Sequence, residues 1–365
     1  MMLQIVLKFN TKSITGFLKT FQVTKSFLEL GVIKGDSLFF YEPFEKAFLE
    51  ETEAFYKIQS RKFMVELNTV KSITFDEYMN KVHLILSNET KRVENYFDKS
   101  SAEKVMKICE KCLVGNHLAV FNSAFDIYLA NGCLEKIDQL YDLIKRFPDE
   151  LELFSRSFQL HAQKEGEKAL SQVDDVVDAE TYMEKVITVS EQYGSLIKNH
   201  LGNNEAFHQS FEKAMKVFVN ENAAVIASPF EDVNGEMLAK YCDKLLSNNS
   251  GLDYPENIIE TKLHHAWKVF KVLSDKDGFQ KFYENISARR LIFKLSRSEK
   301  FEKFIINNLR DYFGEQDSKS LREIVENMNI SADFNKCFMD AMVKQKDTKI
   351  LKNFSVAILS KRSCK

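Results

Sequence analysis

The chain has 365 residues, of which 44% are hydrophobic and 31 are Phe, so it can bury a large core and is not a disordered protein. Its net charge of −2 gives no general attraction to nucleic acid or to an anionic membrane. No stretch approaches the ~18 apolar residues of a membrane-spanning helix. Six Cys residues without a visible secretory signal do not suggest a disulfide framework. We therefore expect an intracellular protein, cytoplasmic or nuclear, with no nucleic-acid or membrane partner.

Long helices are the predicted elements along the chain. With only 12 Gly and 4 Pro residues, the sequence has few turn formers, and this favours long elements joined by few tight turns. In the stretch TFDEYMNKVHLILSNETKRVENYF, apolar residues recur at helical spacing, and Thr74 with Glu77 predicts a capping box at its start. Gly132 predicts the end of a later helix. No stretch alternates convincingly as a strand would, so the predicted fold class is all-α.

The segment Ser247–Asn257, SNNSGLDYPEN, is the predicted domain boundary. It is polar and contains Gly and Pro, and the charge of the chain changes sign there. From Glu256 to the end there are 22 Lys and Arg residues against 15 Asp and Glu residues, a net charge of +7, so residues 1–255 carry −9. The basic last third is either an ordinary solvated helical surface or a binding region for an acidic partner. We expect it to form its own packing unit.

The spacing Cys109-x2-Cys112-x4-His117 is three quarters of a zinc-knuckle pattern. Structural zinc takes four ligands, and the position expected for the fourth is occupied by Asn122. We therefore predict no metal site, with both thiols buried between helices and unreactive. The sequence also has no HExxH, P-loop, dinucleotide-binding or nucleophile-elbow motif, so we expect no cofactor, no catalytic residue and no enzymatic activity.

The stretch DKDGFQKFYENISARRLIF, residues Asp275–Phe293, predicts one amphipathic helix with Ser274 as its N-cap. Its apolar residues follow the spacing i, i+3, i+4, i+7 and i+14: Phe279, Phe282, Tyr283, Ile286 and Phe293. This stripe predicts burial against other helices. Arg290 falls on the stripe, so its side chain should either lie over the edge of the core or meet a carboxylate.

Four basic residues near the end of this helix are the candidate interaction surface: Arg289, Arg290, Lys294 and Arg297. They lack any nucleic-acid-binding motif. The functional interpretation is a surface for an acidic partner, with binding that weakens in salt. The simpler interpretation of Arg290 is a structural arginine at the edge of the core.

The stretch DKDGFQKFYENISARRLI resembles the segment that opens the helical-bundle domain of cullins, which reads much like DKDVFQKFYxxxLAKRLL. Five further segments resemble cullins in the family order: FEKAFLEETEAFYKIQSRKFM, EYMNKVHLILSNETKRVENYF, CEKCLVGNHLAVFNSAF, LYDLIKRFPDELELFSRSFQLHAQKEGEKAL and MLAKYCDKLL. The six segments fall within roughly residues 17–360. They are most similar to the SCF-type cullin, which works with an F-box adaptor module.

The resemblance implies an elongated cullin-repeat helical stalk over residues 1–250, with part of the second repeat and the third repeat. The start of the cullin homology region follows over residues 251–365, as a partial four-helix bundle. Because cullins are scaffolds of ubiquitin ligases, the implied function is that of a scaffold component of an SCF-type ligase in ubiquitin-dependent protein degradation. The implied partners are other ligase subunits, a RING-box protein and the F-box adaptor module.

The sequence also departs from the family pattern. The first stalk repeat, which binds the adaptor, has no counterpart, and neither has the sheet that holds the RING-box protein. The lysine that receives a ubiquitin-like modifier is not found either, so we predict no neddylation lysine. With both main binding regions missing, we expect no ligase activity from this chain alone. A folded but inert cullin remnant without a ligase role is the alternative function.

Overall fold

The computed structural model describes residues 41–96, 99–171, 178–221, 233–251, 254–314, 319–344 and 356. Within these ranges every regular element is helical, and the one pairing of extended backbone is an isolated antiparallel bridge between Ser247 and Ser296. The prediction of an all-α fold is confirmed. Among the described helices, none is long and apolar enough to cross a lipid bilayer.

The described α-helices in chain order are α1 (Tyr41–Val65), α2 (Phe75–Tyr96), α3 (Lys99–Leu113), α4 (Leu118–Asn131), α5 (Leu134–Ile144), α6 (Leu151–Ser171), α7 (Ala179–His200), α8 (Glu205–Asn220), α9 (Val233–Leu246), α10 (Glu256–Val272), α11 (Lys276–Ile292), α12 (Glu299–Phe313) and α13 (Lys319–Lys344). A π-helical turn, Glu66–Val70, follows α1. Short 3-10 turns, Gly115–His117 and Pro148–Glu150, precede α4 and α6. These long helices agree with the low Gly and Pro content of the chain.

The chain divides into two compact units. The first comprises Met1–His161 and Leu196–His208, and the second comprises Ala162–Ser195 and Gln209–Lys365. The predicted boundary segment, Ser247–Asn257, therefore lies within the second unit. The prediction that the basic last third packs as a unit of its own is wrong, because its helices share a core with α9 and with most of α7. The boundary at residue 250 between two family domains stays a prediction.

The first unit contains the predicted capping box at the start of α2. The backbone N–H of Thr74 donates to Glu77 Oε2 at 2.8 Å, and the N–H of Glu77 donates to Thr74 Oγ1 at 3.2 Å, which confirms the prediction. The next residue, Tyr78, is fully buried, and its hydroxyl donates to the carbonyl of Leu113. Its ring centroid lies 6.0 Å from that of Phe121. A correctly capped helix thus places an aromatic anchor in the core of this unit.

The second unit contains a close approach of α9 and α11. A Cβ atom built on Gly235 of α9 would lie only 2.7 Å from the backbone nitrogen of Phe279 and 3.3 Å from the carbonyl oxygen of Asp275. Only a residue without a side chain allows two backbones to come so close. Farther along, Asp243 of α9 meets Arg290 of α11. The two helices therefore run side by side in the same direction.

Candidate functional site

Arg290 of α11 is the centre of a buried polar cluster, with 2% of its surface exposed. Its Nε donates to Glu302 Oε1 at 2.7 Å, and its Nη2 donates to Glu302 Oε2 at 2.9 Å. Its Nη1 donates to Asp243 Oδ1, and its Nη2 also donates to the Tyr283 hydroxyl at 3.4 Å. Because the partners come from different elements, one guanidinium joins α9, α11 and α12.

Glu302 is the matching buried anion, with 1% of its surface exposed. It lies in the first turn of α12, where the free amides of a helix start favour a negative charge. Its Oε1 also accepts a hydrogen bond from Ser296 Oγ at 2.6 Å. Buried charges are tolerated when they are paired and hydrogen-bonded. Arg290 and Glu302 meet both conditions, because they are paired with each other and each makes a further hydrogen bond.

The electrostatics of the cluster favour fixed charges rather than proton transfer. Burial by itself disfavours the charged guanidinium, but the hydrogen bonds to Glu302 and the nearby carboxylates raise the pKa of Arg290 above its ordinary value. Burial raises the pKa of the Tyr283 hydroxyl well above its ordinary value and that of the Cys242 thiol to about 12. None of these three groups changes its charge near neutral pH, so the cluster is suited to hold helices together.

The four basic residues predicted as one interaction surface are not all on a surface. The assignment of Arg290 is wrong, because its guanidinium is buried and paired with Glu302. Arg297 is half-buried, and its Nη2 donates to the carbonyl of Ser247 at 3.4 Å. Arg289 and Lys294 are exposed. The candidate surface is therefore reduced to Arg289 and Lys294.

The buried face of α11 is turned relative to the predicted stripe. Phe279 and Tyr283 are buried as predicted, whereas Phe282 and Ile286 are only half-buried. The prediction for Phe293 is wrong, because its side chain is 65% exposed. The buried positions are spaced three or four residues apart: Phe279, Tyr283, Ser287 and Arg290. The face packs closely on α9, where Gly235 meets the backbone of Phe279, and the Phe293 ring at the helix end lies outside it.

The start of α11 also differs by one residue from the prediction. Asp275 is the N-cap, and its Oδ1 accepts a hydrogen bond from the N–H of Gly278 at 2.9 Å. The backbone N–H of Ser274 donates instead to Asn220 Oδ1 at 2.9 Å. The prediction of Ser274 as the cap is wrong because the neighbouring carboxylate, an equally good cap, is the one in reach of the free amide.

The end of α11 is a Schellman motif with lysine at the left-handed position. Lys294 has φ 53°, its N–H donates to the carbonyl of Leu291 at 3.1 Å, and the N–H of Leu295 donates to the carbonyl of Arg290 at 2.9 Å. Glycine is the usual residue there, because a Cβ atom is strained at positive φ. The chain thus holds a strained cation at an exposed helix end.

The turn that follows α11 is bound to the end of α9. The backbone N–H of Asn248 donates to the carbonyl of Leu295 at 2.8 Å, and that of Arg297 donates to the carbonyl of Leu246 at 2.7 Å. The side-chain amide of Asn248 also donates to the carbonyl of Ser296 at 2.9 Å. Because three hydrogen bonds fix this turn, the preceding helix end is held in one position.

The cysteines of the zinc-like spacing lie on α3. Cys109 and Cys112 are buried, as predicted, and burial raises the pKa of both thiols. The Cys112 thiol lies 3.9 Å from the carbonyl oxygen of Glu53, and His117 Nε2 shares a hydrogen bond with Ser60 Oγ. In the part of the chain that the structure describes, no three His, Cys, Asp or Glu side chains are grouped to hold a metal ion.

The sequence analysis left two outcomes open for Arg290, a side chain lying over the edge of the core or a carboxylate partner, and it named no particular carboxylate. A signal for Glu302 was present: it lies on the apolar face of its own helix, with buried Ile305, Ile306 and Leu309. Two opposite charges, each on the apolar face of a neighbouring helix, indicate a buried pair. No comparable signal marked Asp243, which is 47 positions away from Arg290 in the chain.

Comparison with known proteins identifies similar sequences. Residues 10–335 match the family described as Cullin, Cullin alpha solenoid domain. The chain is 30% identical over 319 residues to Cullin-1 of Dictyostelium discoideum, and this covers 87% of the chain and 40% of that relative. It is 30% identical to Cullin-1 of Caenorhabditis elegans, and the match covers 88% of the chain and 41% of that relative. It is 31% identical to Cullin-5 of Dictyostelium discoideum, and the match covers 88% of the chain and 43% of that relative. The chain thus spans about two fifths of the length of these relatives.

Proposed function

Since the chain belongs to the cullin family, we propose that it acts as a non-catalytic scaffold component of a ubiquitin ligase. The observation that carries this proposal is the match to the family over residues 10–335, nearly the whole chain. The polar cluster around Arg290 supports a non-catalytic role. Its charges are buried and paired with one another rather than directed at a substrate.

The finer proposal is an SCF-type ligase, located in the cytoplasm or nucleus, with a RING-box protein and an F-box adaptor module as partners. The segments quoted above, from DKDGFQKFYENISARRLI back to FEKAFLEETEAFYKIQSRKFM, support this type through their resemblance to SCF-type cullins. A scaffold acts by holding bound partners at a fixed separation, and this requires rigid helices rather than a reactive site.

The test is reconstitution from purified components. The 365-residue chain is mixed with a RING-box protein and with an F-box adaptor module, separately and together, and complex formation is measured by size-exclusion chromatography. Cullin-1 of Dictyostelium discoideum is the positive control. The proposal predicts a stable complex with at least one partner. If neither binds while the control binds both, the scaffold proposal fails and the inert remnant is favoured.

A second measurement addresses ligase activity. A charged ubiquitin-conjugating enzyme is added to the same mixtures, and transfer of ubiquitin is followed with and without the chain. We expect binding without transfer above the background. Transfer above the background would contradict the expectation that this chain alone does not support activity, and it would strengthen the scaffold proposal.

A further inference from the structure

We propose that Asn335 of α13 anchors the chain segment of residues 353–360, NFSVAILS, in an extended form on one face of that helix. Asn335 and its half-buried neighbours Phe338 and Met339 are called the α13 anchor below. The inference goes beyond the scaffold role and does not depend on it, because it rests on contacts within α13 and at Val356.

The side-chain amide of Asn335 makes two hydrogen bonds with the backbone of one distant residue. Its Oδ1 accepts from the N–H of Val356 at 2.9 Å, and its Nδ2 donates to the carbonyl of Val356 at 2.7 Å. A residue with an extended backbone turns its N–H and its C=O to the same side, as in the hydrogen-bonded pairs of an antiparallel sheet. The Asn335 amide therefore takes the place of a neighbouring strand beside Val356.

The Asn335 amide is fixed in this orientation by a third hydrogen bond. Its Nδ2 also donates to the carbonyl of Ser331, one turn earlier in α13, at 2.7 Å. An asparagine side chain has two donor hydrogens and one acceptor oxygen, and here all three groups are engaged. A flipped amide would place its oxygen against two carbonyl groups. The contact thus specifies both an acceptor and a donor on the bound backbone.

Two apolar side chains lie beside the amide. Phe338 and Met339 follow Asn335 by three and four residues, so the helix places them on the same face, and both are half-buried. Asn335 and Val356 are 21 positions apart, and closing a loop of that length costs entropy that two hydrogen bonds near solvent hardly offset. We therefore expect apolar contact with Phe338 and Met339 to contribute to docking.

The sequence after α13 contains one segment suited to this face. Residues 353–360 are the longest run without a charged residue after Lys344, and Val356 lies near its centre. Charged side chains would lose hydration against Phe338 and Met339, whereas this run carries none. Because the hydrogen bonds already reach Val356 of the same chain, the occupant is this segment rather than a separate partner.

The first test measures hydrogen exchange at the Val356 amide in the full 365-residue chain. Exchange is followed by mass spectrometry with fragmentation that resolves single amides, and a synthetic peptide of residues 350–362 gives the rate of the free segment. We expect the Val356 amide to exchange at least about tenfold more slowly in the protein, because its N–H is bonded to Asn335. Equal rates in the protein and the peptide would overturn the proposal.

Two variants break the contact from opposite sides. Asn335→Leu removes both hydrogen bonds, and Val356→Pro removes the N–H donor of the segment without a change in α13. Each should speed trypsin cleavage after Lys352, just before the segment, by about fivefold or more, because a protease cuts the undocked chain. The double variant should be cleaved no faster than the faster single variant, since both changes release the same contact.

The matched control is Asn308→Leu. The side-chain amide of Asn308 in α12 donates to the carbonyl of Phe304 at 2.8 Å, four residues earlier, just as that of Asn335 donates to Ser331. Asn308 is also half-buried, but among the described residues its side chain has no hydrogen bond to a distant part of the chain. This variant loses the same local bond, so the cleavage rate should not change.

Three further results would contradict the proposal. Faster cleavage of Asn335→Leu but not of Val356→Pro would show that α13 is destabilised rather than that a docked segment is released. Equal acceleration by Asn308→Leu would show a general effect of losing a helix side-chain bond. Protection of the Val356 amide that rises with protein concentration would show that the segment docks on a second copy, as in domain swapping.

Discussion

Arg289 and Arg290 are neighbours in the chain, and their environments are opposite. Arg289 is exposed, whereas Arg290 is buried and makes a two-point hydrogen-bonded pair with Glu302. On a helix, adjacent residues point about 100° apart, so a one-residue step is enough to exchange solvent for core. The same residue type therefore has a structural role at position 290 and is a solvent-exposed charge at position 289.

The first prediction concerns the buried pair. Arg290→Met should lower the free energy of unfolding by about 3–5 kcal/mol, because it leaves the Glu302 carboxylate buried without its partner. Arg289→Met is the matched control and should change it by less than about 0.5 kcal/mol. Urea denaturation followed by circular dichroism gives both values.

A double variant checks the cause of that loss. Arg290→Met combined with Glu302→Leu removes both buried charges, so most of the lost stability should return. If the double variant is as unstable as Arg290→Met, the loss comes from packing or from Asp243 rather than from an unpaired carboxylate.

His117 provides a prediction about pH. Burial lowers the pKa of its ring below the ordinary value, so the folded protein favours the neutral form. As the pH falls below about 6.5, the unfolded chain binds a proton that the folded chain resists, and stability is lost. The stability that comes from burying the neutral His117 ring is therefore fully present above that pH and is lost below it.

The measurement compares two histidine variants. The free energy of unfolding of His117→Gln should fall less between pH 7.5 and pH 5.5 than that of the unchanged protein. His83→Gln is the control, because this ring also makes a hydrogen bond, at 2.9 Å to the carbonyl of Gln139. Parallel pH profiles for the unchanged protein and His117→Gln would contradict the argument.

At the scale of elements, α9 and α11 are held together by a close backbone approach at one end and by an ion pair at the other. Gly235 allows the approach, and Asp243 contacts Arg290 two turns later. The position of α11 is therefore determined by a residue without a side chain as much as by its own apolar stripe.

The prediction at this scale is that Gly235→Ala destabilises the protein by about 1–3 kcal/mol or more. Its methyl group would meet backbone atoms of Phe279, which cannot move aside as a flexible side chain can. Gly194→Ala, within α7, is the matched control. No atom lies within 4 Å of a Cβ there, so the better helix propensity of Ala should raise the free energy of unfolding by up to about 1 kcal/mol. Urea denaturation should show shifts of opposite sign; two shifts of the same sign would contradict the packing argument.

At the scale of the whole molecule, the change in charge does not coincide with a change in packing. The basic last third belongs to the same compact unit as α9 and most of α7. Two contacts show this directly: Lys262 Nζ donates to both carboxylate oxygens of Glu184 at 2.6 Å, and Arg290 pairs with Asp243. Charge is a property of surfaces, whereas a packing unit is defined by its buried residues.

A fragment tests that conclusion. Residues 251–365 alone should have reduced helicity and no cooperative urea transition, because α11 would lose the helix that packs along it. Circular dichroism on the fragment and on the full chain gives the comparison. Mixing with a fragment of residues 1–250 should restore helicity. A cooperative transition in the isolated fragment would instead show that residue 250 is a packing boundary as well as a proposed domain boundary.

Local features were determined by the sequence itself. The capping box of Thr74 and Glu77 and the helix end at Gly132 involve residues within one or two turns, so their chemistry is complete in a short window. The same holds for the all-α class, which follows from helical periodicity and few turn formers. The burial of Cys109 and Cys112 also follows from their helical positions.

Only the tertiary structure decided the facts that depend on distant partners. Arg290 is buried because Glu302 and Asp243 come from other helices, the second of them 47 positions away. Phe293 falls on the apolar stripe of the sequence, yet it is 65% exposed because the packing of α11 against other helices does not extend to its ring. The spacing of residues in the sequence shows that a charged residue lies on an apolar helix face. Which partner it meets is decided by how the helices pack. That packing depends on many weak contacts between residues far apart in the chain, which no short stretch of sequence contains.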